Sequence, residues 1–295
     1  MVRPARRAIC RRVLVGLLVL AIAGCSAISL TYERLPTLLY WWMNSYVDFD
    51  PVQAPHARAD FAGWHAWHRK EEIPRYVSLL QRWQRELAGP LDANDVCAWR
   101  APVVERMEAA FAAAKPGLVR LAVSLNEAQR GMLAQRFQES NAELYEEYAE
   151  GTLRARERDS RKRTEKFFRR IYGRLNATQR AQIEARTAET AYDAEGWLAE
   201  RAARQALILE GLRQMGRSAG DSAAREMVAS TALDTFTAQF FNSPRAEYQN
   251  YRTALLRRNC RLFAEVHAAA SPQQVDRARR KLAAWEAELV ALAAK

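Results

Sequence analysis

Apolar positions recur every three or four residues along most of this chain beyond Asp48. Ile73, Val77, Leu80 and Leu87 trace one such face, and Val96, Val103, Met107, Ala110 and Ala114 trace another. Leu133, Phe137, Leu144 and Tyr148 continue the pattern, as do Ala191, Ala194, Leu198, Ala202, Leu209 and Leu212. Tyr248, Tyr251, Leu255, Leu262 and Val266 complete it. This is the period of an amphipathic helix, and no alternating run is long enough for a strand. The pattern therefore predicts an all-α chain. Breaks are expected at Gly89-Pro90, Lys115-Pro116-Gly117, Gly216 to Asp221 and Asn242-Ser243-Pro244. Pro74, inside a good helical pattern, should kink that helix or start a new one. Gly151 and Gly173 read as a bend and a C-terminal cap. The long pieces between breaks predict an elongated assembly of helical hairpins over a compact four-helix bundle.

One short pattern appears four times. Leu125-Asn126-Glu127-Ala128-Gln129 and Leu175-Asn176-Ala177-Thr178-Gln179 match best, while Phe49-Asp50-Pro51-Val52-Gln53 and Ala270-Ser271-Pro272-Gln273-Gln274 are looser. Each reads as a helix start. Asp50, Asn126, Asn176 or Ser271 accepts a bond from the first turn, and Gln53, Gln129, Gln179 or Gln274 reaches back to the cap's own N–H. Pro51 and Pro272 stand where a missing N–H costs nothing. The two best copies also agree at Arg130/Arg180, Leu133/Ile183 and Arg136/Arg186, which hints at an internal duplication.

The amino end departs from this pattern. Arg3, Arg6, Arg7, Arg11 and Arg12 precede an apolar run from Val13 to Ala23 with no acid before it. A charged region, a short apolar core and small residues are the marks of an export leader. The run is too short to span a membrane, which takes roughly 20 residues. Ile22-Ala23-Gly24-Cys25 resembles the lipobox of bacterial lipoproteins, which implies cleavage before Cys25 and acylation of that cysteine. Residues 1–24 are then the signal peptide, 25–34 a lipidated tether and 35–295 one helical periplasmic domain. Ser26 after the cysteine resembles the outer-membrane sorting choice.

Cleavage also changes the charge. Five arginines leave with the leader, so the formal net charge of +11 falls to +6. An exported chain does not ordinarily meet chromosomal DNA or RNA, which removes the nucleic-acid reading that a basic chain invites. Cys10 leaves with the leader and Cys25 takes the lipid, so Cys97 and Cys260 remain. In an oxidising compartment they either pair with each other or stay as two buried thiols.

The segment from Leu38 to Val47 is aromatic-rich and apolar nearly all round. It is either packed on the body, the simpler reading, or placed at a membrane surface. His65, His68 and Glu72 share a helical face at spacings that suit a zinc-like ion. Arg69 and Lys70 beside them, the flanking tryptophans and the lack of a second histidine-rich segment speak against a metal. Between Arg154 and Arg174 ten basic residues face three acids, with Phe167, Phe168, Ile171 and Tyr172 interspersed. Arg161, Lys162, Lys166, Phe167, Phe168, Arg169 and Arg170 are the candidate binding face, where charge steers an anionic partner and aromatics supply contact. A solvated helix face explains the same residues. No Ser/His/Asp arrangement, phosphate loop or cofactor motif appears, so neither enzyme nor cofactor is expected.

In an exported helical chain the four caps resemble the Leu-Thr-x-x-Gln repeats of the Spy/CpxP family, periplasmic helical-hairpin proteins with chaperone, stress-signalling or metal-sensing roles. Here Asn replaces Thr in the two best copies, and the chain is about twice as long. The lipobox, Tyr46-Val47-Asp48 with Pro51 and Gln53, and the run His68 to Tyr76 also resemble an uncharacterised family of proteobacterial lipoproteins. That likeness implies location and fold and brings no activity. The expected function is a non-enzymatic, Spy-like binding protein for envelope or partly unfolded proteins. The alternatives are a structural adaptor with one dedicated envelope partner and a metal sensor using His65 and His68.

Overall fold

The computed structural model describes residues 27–189, 193–217 and 220–295. The leader, Cys25, Ser26, Ala191 and part of the break between Gly216 and Asp221 lie outside them. Among the described residues the chain is helical throughout, without a strand. The fold is elongated and all-α, built of long paired helices.

In chain order these are α1 (Ala27–Glu33), α2 (Leu35–Val47), α3 (Gln53–Trp67), a π-helical turn (His68–Glu72), α4 (Ile73–Glu86), α5 (Ala93–Ala98) and α6 (Arg100–Ser124). Then follow α7 (Glu127–Tyr148), α8 (Leu153–Tyr172), α9 (Ala177–Glu189), α10 (Ala194–Arg217), α11 (Ser222–Phe241), α12 (Ala246–Ala268) and α13 (Pro272–Ala293). The stretch read as a lipidated tether carries α1, whose Tyr32 ring packs 4.5 Å from that of His65.

The backbone of the molecule is the continuous rod α3–π–α4. Gln53 to Glu86 span about 50 Å at 1.5 Å per residue. Pro74 stands in the first turn of α4, the helix start expected of it, and the rod carries on through it. The proline falls just after the π turn, whose wider backbone spacing accommodates a residue that has no N–H to give. One core gathers around α3: Tyr40, Val47, Phe49, Ala57, Leu125, Leu133, Leu212, Met215 and Ala229. A second gathers around α4 with Leu80, Leu87, Phe168, Tyr172, Ile183, Leu262, Val266 and Leu282, and a third, smaller one joins Ala149, Ala194 and Leu198. Helices α2, α6, α7, α10 and α11 belong to the first, and α5, α8, α9, α12 and α13 to the second. Cys97 of α5 and Cys260 of α12 form a disulfide with Cα atoms 5.3 Å apart, tying the second group together.

The break expected at Lys115-Pro116-Gly117 does not occur, because α6 runs straight through it. A proline inside a helix removes one bond and costs about 3 kcal/mol. Here packing on both sides offsets that cost, with α3 and α11 both lying against α6. Gly117 lets α3 approach, since a Cβ added there would sit 3.1 Å from the Cβ of Asp60.

The four caps form and then pair. Asp50 Oδ1 accepts from the N–H groups of Val52 and Gln53, and Gln53 Oε1 accepts from the N–H of Asp50. Asn126 with Gln129, Asn176 with Gln179, and Ser271 with Gln274 make the same reciprocal box. Each glutamine also reaches across to another helix. The Gln53 and Gln129 amides donate to each other's oxygens at 3.0 and 2.6 Å, and additionally to Ser124 O and Asp48 O. Gln179 and Gln274 do likewise at 3.3 and 3.0 Å, with Val266 O and Arg174 O as further acceptors. Arg130 and Arg180 close the two sites from below on Leu125 O and Leu175 O. The two copies most alike in sequence therefore do not meet. Each holds a looser one.

Gln129 supplies four of the bonds at the first crossing and is buried. Gln129→Ala is expected to lower stability by about 2 kcal/mol, because it removes the buried Gln129 amide's bonds to Gln53 and to Asp48 O and leaves Gln53 with Ser124 O alone across the crossing, at about 1 kcal/mol per bond lost. Urea unfolding followed by circular dichroism measures it, and an unchanged midpoint would mean that the crossing contributes nothing.

Candidate functional site

Small residues open a wide concavity between α2, α3 and α6. Ala57 and Gly63 on α3 face Ala110, Ala113, Ala114 and Gly117 on α6, and the missing side-chain volume leaves a trough of about 780 Å³. Leu39, Trp42 and Met43 of α2 wall one side, with Trp64, Trp67, Met107, Phe111 and Leu118 around the floor and ends. A second cavity of about 350 Å³ adjoins it and shares Trp42, Met43, Leu118 and Leu121. It runs on to Phe137, Ile208, Phe236 and Phe240. Few of the lining residues are charged. Asp60 and Arg120 pair at the first cavity, which raises the guanidinium's pKa, and Arg201 and Arg204 stand at the second. A concavity of this size lined by apolar and aromatic groups takes apolar ligands.

Helix α2 is divided between core and solvent. Tyr40 and Val47 are buried, whereas Trp41 and Trp42 are 62% and 56% exposed. Simple burial of the whole aromatic segment is therefore incorrect. Leu38, Trp41, Trp42 and Ser45 fall at helical spacing on the outer face, and Arg34 precedes them on the same side.

The basic face on α8 is only partly as read from sequence. Phe167 is 52% exposed between Lys166 and Arg170, but Phe168 is 3% exposed and packs among Tyr172 and Phe263. The reason is periodicity: Phe168, Ile171 and Tyr172 share one face of α8, and that face covers the second core. Phe168 is removed from the binding face. Several cations are already engaged, Arg161 with Glu184, Lys162 with Asp159 at 3.2 Å and Arg169 with Glu165 at 2.9 Å. Lys166, Phe167 and Arg170 remain exposed on it.

The π turn carries a polar node. His68 sits between two tyrosines, with Tyr32 Oη 2.9 Å from Nδ1 and Tyr76 Oη 3.4 Å from Nε2. Burial pushes Tyr32 up to about 12 and holds His68 below the usual histidine value, with the charge of His65 adding to it. Burial and then the Arg69 charge do the same to His65. Glu72 is 1% exposed and meets Arg106 at 3.3 Å, with Arg75 at 3.9 Å. The metal set His65, His68 and Glu72 is thus not assembled, since both nitrogens of His68 face hydroxyls and Glu72 turns to an arginine. Among the described residues no group of three or more His, Cys, Asp or Glu is placed to hold a metal. No described helix is long and apolar enough to cross a membrane.

The model of a family of unknown function, DUF6279, matches residues 45–235. The chain belongs to the DUF6279 family. The DUF6279 region contains most of the trough, the π turn, the first glutamine crossing and all of α8. It ends within α11, so Gln274 and Cys260 lie beyond it. The family carries no activity to assign to these residues. No curated protein and no solved structure matches the chain.

The trough escapes a reading of the sequence because its walls come from helices far apart in the chain. The local signal was present as Ala110, Ala113, Ala114 and Gly117 at helical spacing, which reads equally as close helix packing. The π turn has no signature beyond the proline that follows it.

Proposed function

We propose that this chain is an acylated lipoprotein of the outer membrane, facing the periplasm, that binds apolar segments of envelope or partly unfolded proteins without catalysis. The lipobox at Cys25 supports the anchor. The observation that carries the binding role is the trough between α2, α3 and α6, which offers an open, largely apolar lining with one ion pair, Asp60 and Arg120, as its charged members. The exposed Trp41 and Trp42 beside it suit a position close to lipid headgroups.

This reading moves the contact surface from α8 to the trough, and salt separates the two. Apolar contact in the trough keeps its strength as ionic strength rises, whereas attraction to the α8 face weakens as the screening length falls to about 8 Å at physiological salt. The acylated full chain in detergent micelles should suppress aggregation of a reduced, unfolded model client at near-stoichiometric ratios. Ala114→Trp places a ring in the trough and should abolish that suppression. Lys166→Glu with Arg170→Glu should leave it intact. Suppression unaffected by Ala114→Trp overturns the assignment. Labelled palmitate absent from the protein in cells, or present in a Cys25→Ser variant, would overturn the anchor separately.

A second reading rests on the exposed Phe167 between Lys166 and Arg170: an adaptor that docks one acidic envelope partner on α8. It predicts no suppression in the assay above and capture of a single crosslinked species, lost in the Lys166→Glu, Arg170→Glu variant.

A further inference from the structure

Behind the π turn lie buried nitrogens that no neighbouring atom takes. His65 is more than nine-tenths buried, and its Nε2 has no hydrogen-bond partner. The Nε of Arg69, four residues on and so on the same side of the helix, has none either. Both side chains line a cavity of about 320 Å³, completed by Ala66, Lys70, Pro74 and Ala293. No carboxylate lines it. Lys70 reaches it from solvent, with Glu71 4.0 Å from its ammonium. Tyr32 roofs the polar side, its ring 4.5 Å from that of His65 and 5.8 Å from the Arg69 guanidinium carbon.

A buried polar group with nothing bonded to it costs about 1–3 kcal/mol, and two of them side by side on an open cavity are placed for something that bonds to both. Two permanent cations and a ring nitrogen select a compact anion with several oxygens. A π turn also widens the helix where functional groups commonly gather.

We propose that this cavity binds a phosphate-type oxyanion, held by Arg69, Lys70 and the unpartnered ring nitrogen of His65. The Nε–H of Arg69 donates to one oxygen, and the Lys70 ammonium offsets the charge from the open side. His65 Nε2 accepts from a protonated phosphate oxygen or, when itself protonated, donates to a bare one. The same chemistry reaches the cavity as free phosphate or as the headgroup of a membrane phospholipid. The site is distinct from the trough, so its fate does not depend on the binding role proposed above.

The test uses the purified full chain in neutral detergent at pH 7, with ionic strength held constant by chloride. Calorimetric titration with inorganic phosphate, and in parallel with soluble dihexanoyl phosphatidylglycerol, should give saturable binding to one or both. Arg69→Gln and Lys70→Gln should each weaken it about tenfold, the loss expected for a charge-assisted contact. Lys70 is largely exposed, so its variant keeps the test open if the Arg69 variant fails to fold. Binding of phosphate that both substitutions weaken supports the site with the free ion as ligand. Binding of the lipid alone, weakened in the same way, supports it with a headgroup as ligand. No binding of either beyond chloride, or affinities unchanged in both variants, overturns the proposal.

Discussion

Opening the Cys97–Cys260 bond is expected to lower the unfolding free energy by about 5 kcal/mol. The cysteines are 163 residues apart, and in the chain-entropy account a loop of that length gives a restraint on the unfolded chain of about that size. The bond joins short α5 to long α12, and α5 has no fully buried side chain of its own to hold it in place. The loss should therefore fall first on α5 and on Trp99, which packs 5.7 Å from Trp83 and 5.2 Å from Phe263. A Cys97→Ser, Cys260→Ser variant compared with the oxidised chain by urea unfolding at pH 7, with tryptophan fluorescence reporting on Trp99, measures both. A difference below about 1 kcal/mol would show that the helices hold their places without the bond.

The second large effect is expected at the π turn. Arg106→Met removes the close partner of Glu72 and leaves a carboxylate in the interior with only Arg75, half in solvent, at 3.9 Å. Stranding one member of a buried pair costs about 3–5 kcal/mol, whereas replacing both by apolar groups is often nearly neutral. Arg106→Met should thus lose about 4 kcal/mol, and adding Glu72→Leu should restore most of it. Thermal unfolding of the two single variants and the double variant gives the coupling directly. Additive losses would show that the two residues act independently and that the pair is incidental to the turn.

Much of the fold is legible in the chain itself. The three-and-four spacing marks the long helices, and the four Asn, Asp or Ser with Gln boxes mark their starts, because capping is a local matter of a few adjacent residues. What the boxes do next is not local. Gln53 finds Gln129, and Gln179 finds Gln274, only once α3 lies against the entry to α7 and α9 against the entry to α13. Similarity between copies misdirects here, since the alike copies at Asn126 and Asn176 sit at separate crossings. Pro116 shows the opposite failure. A strong local breaker is overruled by packing on two sides of α6, as tertiary context overrules propensity elsewhere.

The candidate sites divide in the same way. Phe167 and Phe168 are neighbours of identical chemistry, and only the company of Ile171 and Tyr172 on one helical face separates the buried ring from the exposed one. That signal was available in the sequence. The trough was not, because its volume is set by what Ala57, Gly63, Ala114 and Gly117 lack, on helices that meet only in three dimensions. His65 and His68 looked like a pair, yet their three-residue spacing ends in a π turn that hands His68 to two tyrosines and leaves His65 facing a different cavity.

Helix α1 bears on the rod at its midpoint, where Tyr32 meets His68, and the Glu33 carboxylate pairs with Lys295 beyond α13. Helix α1 thus braces the rod where α3 gives way to α4, between the two larger cores. The first and last described helices are thereby fastened to each other at the middle of the rod, so that fraying of either one loosens the other.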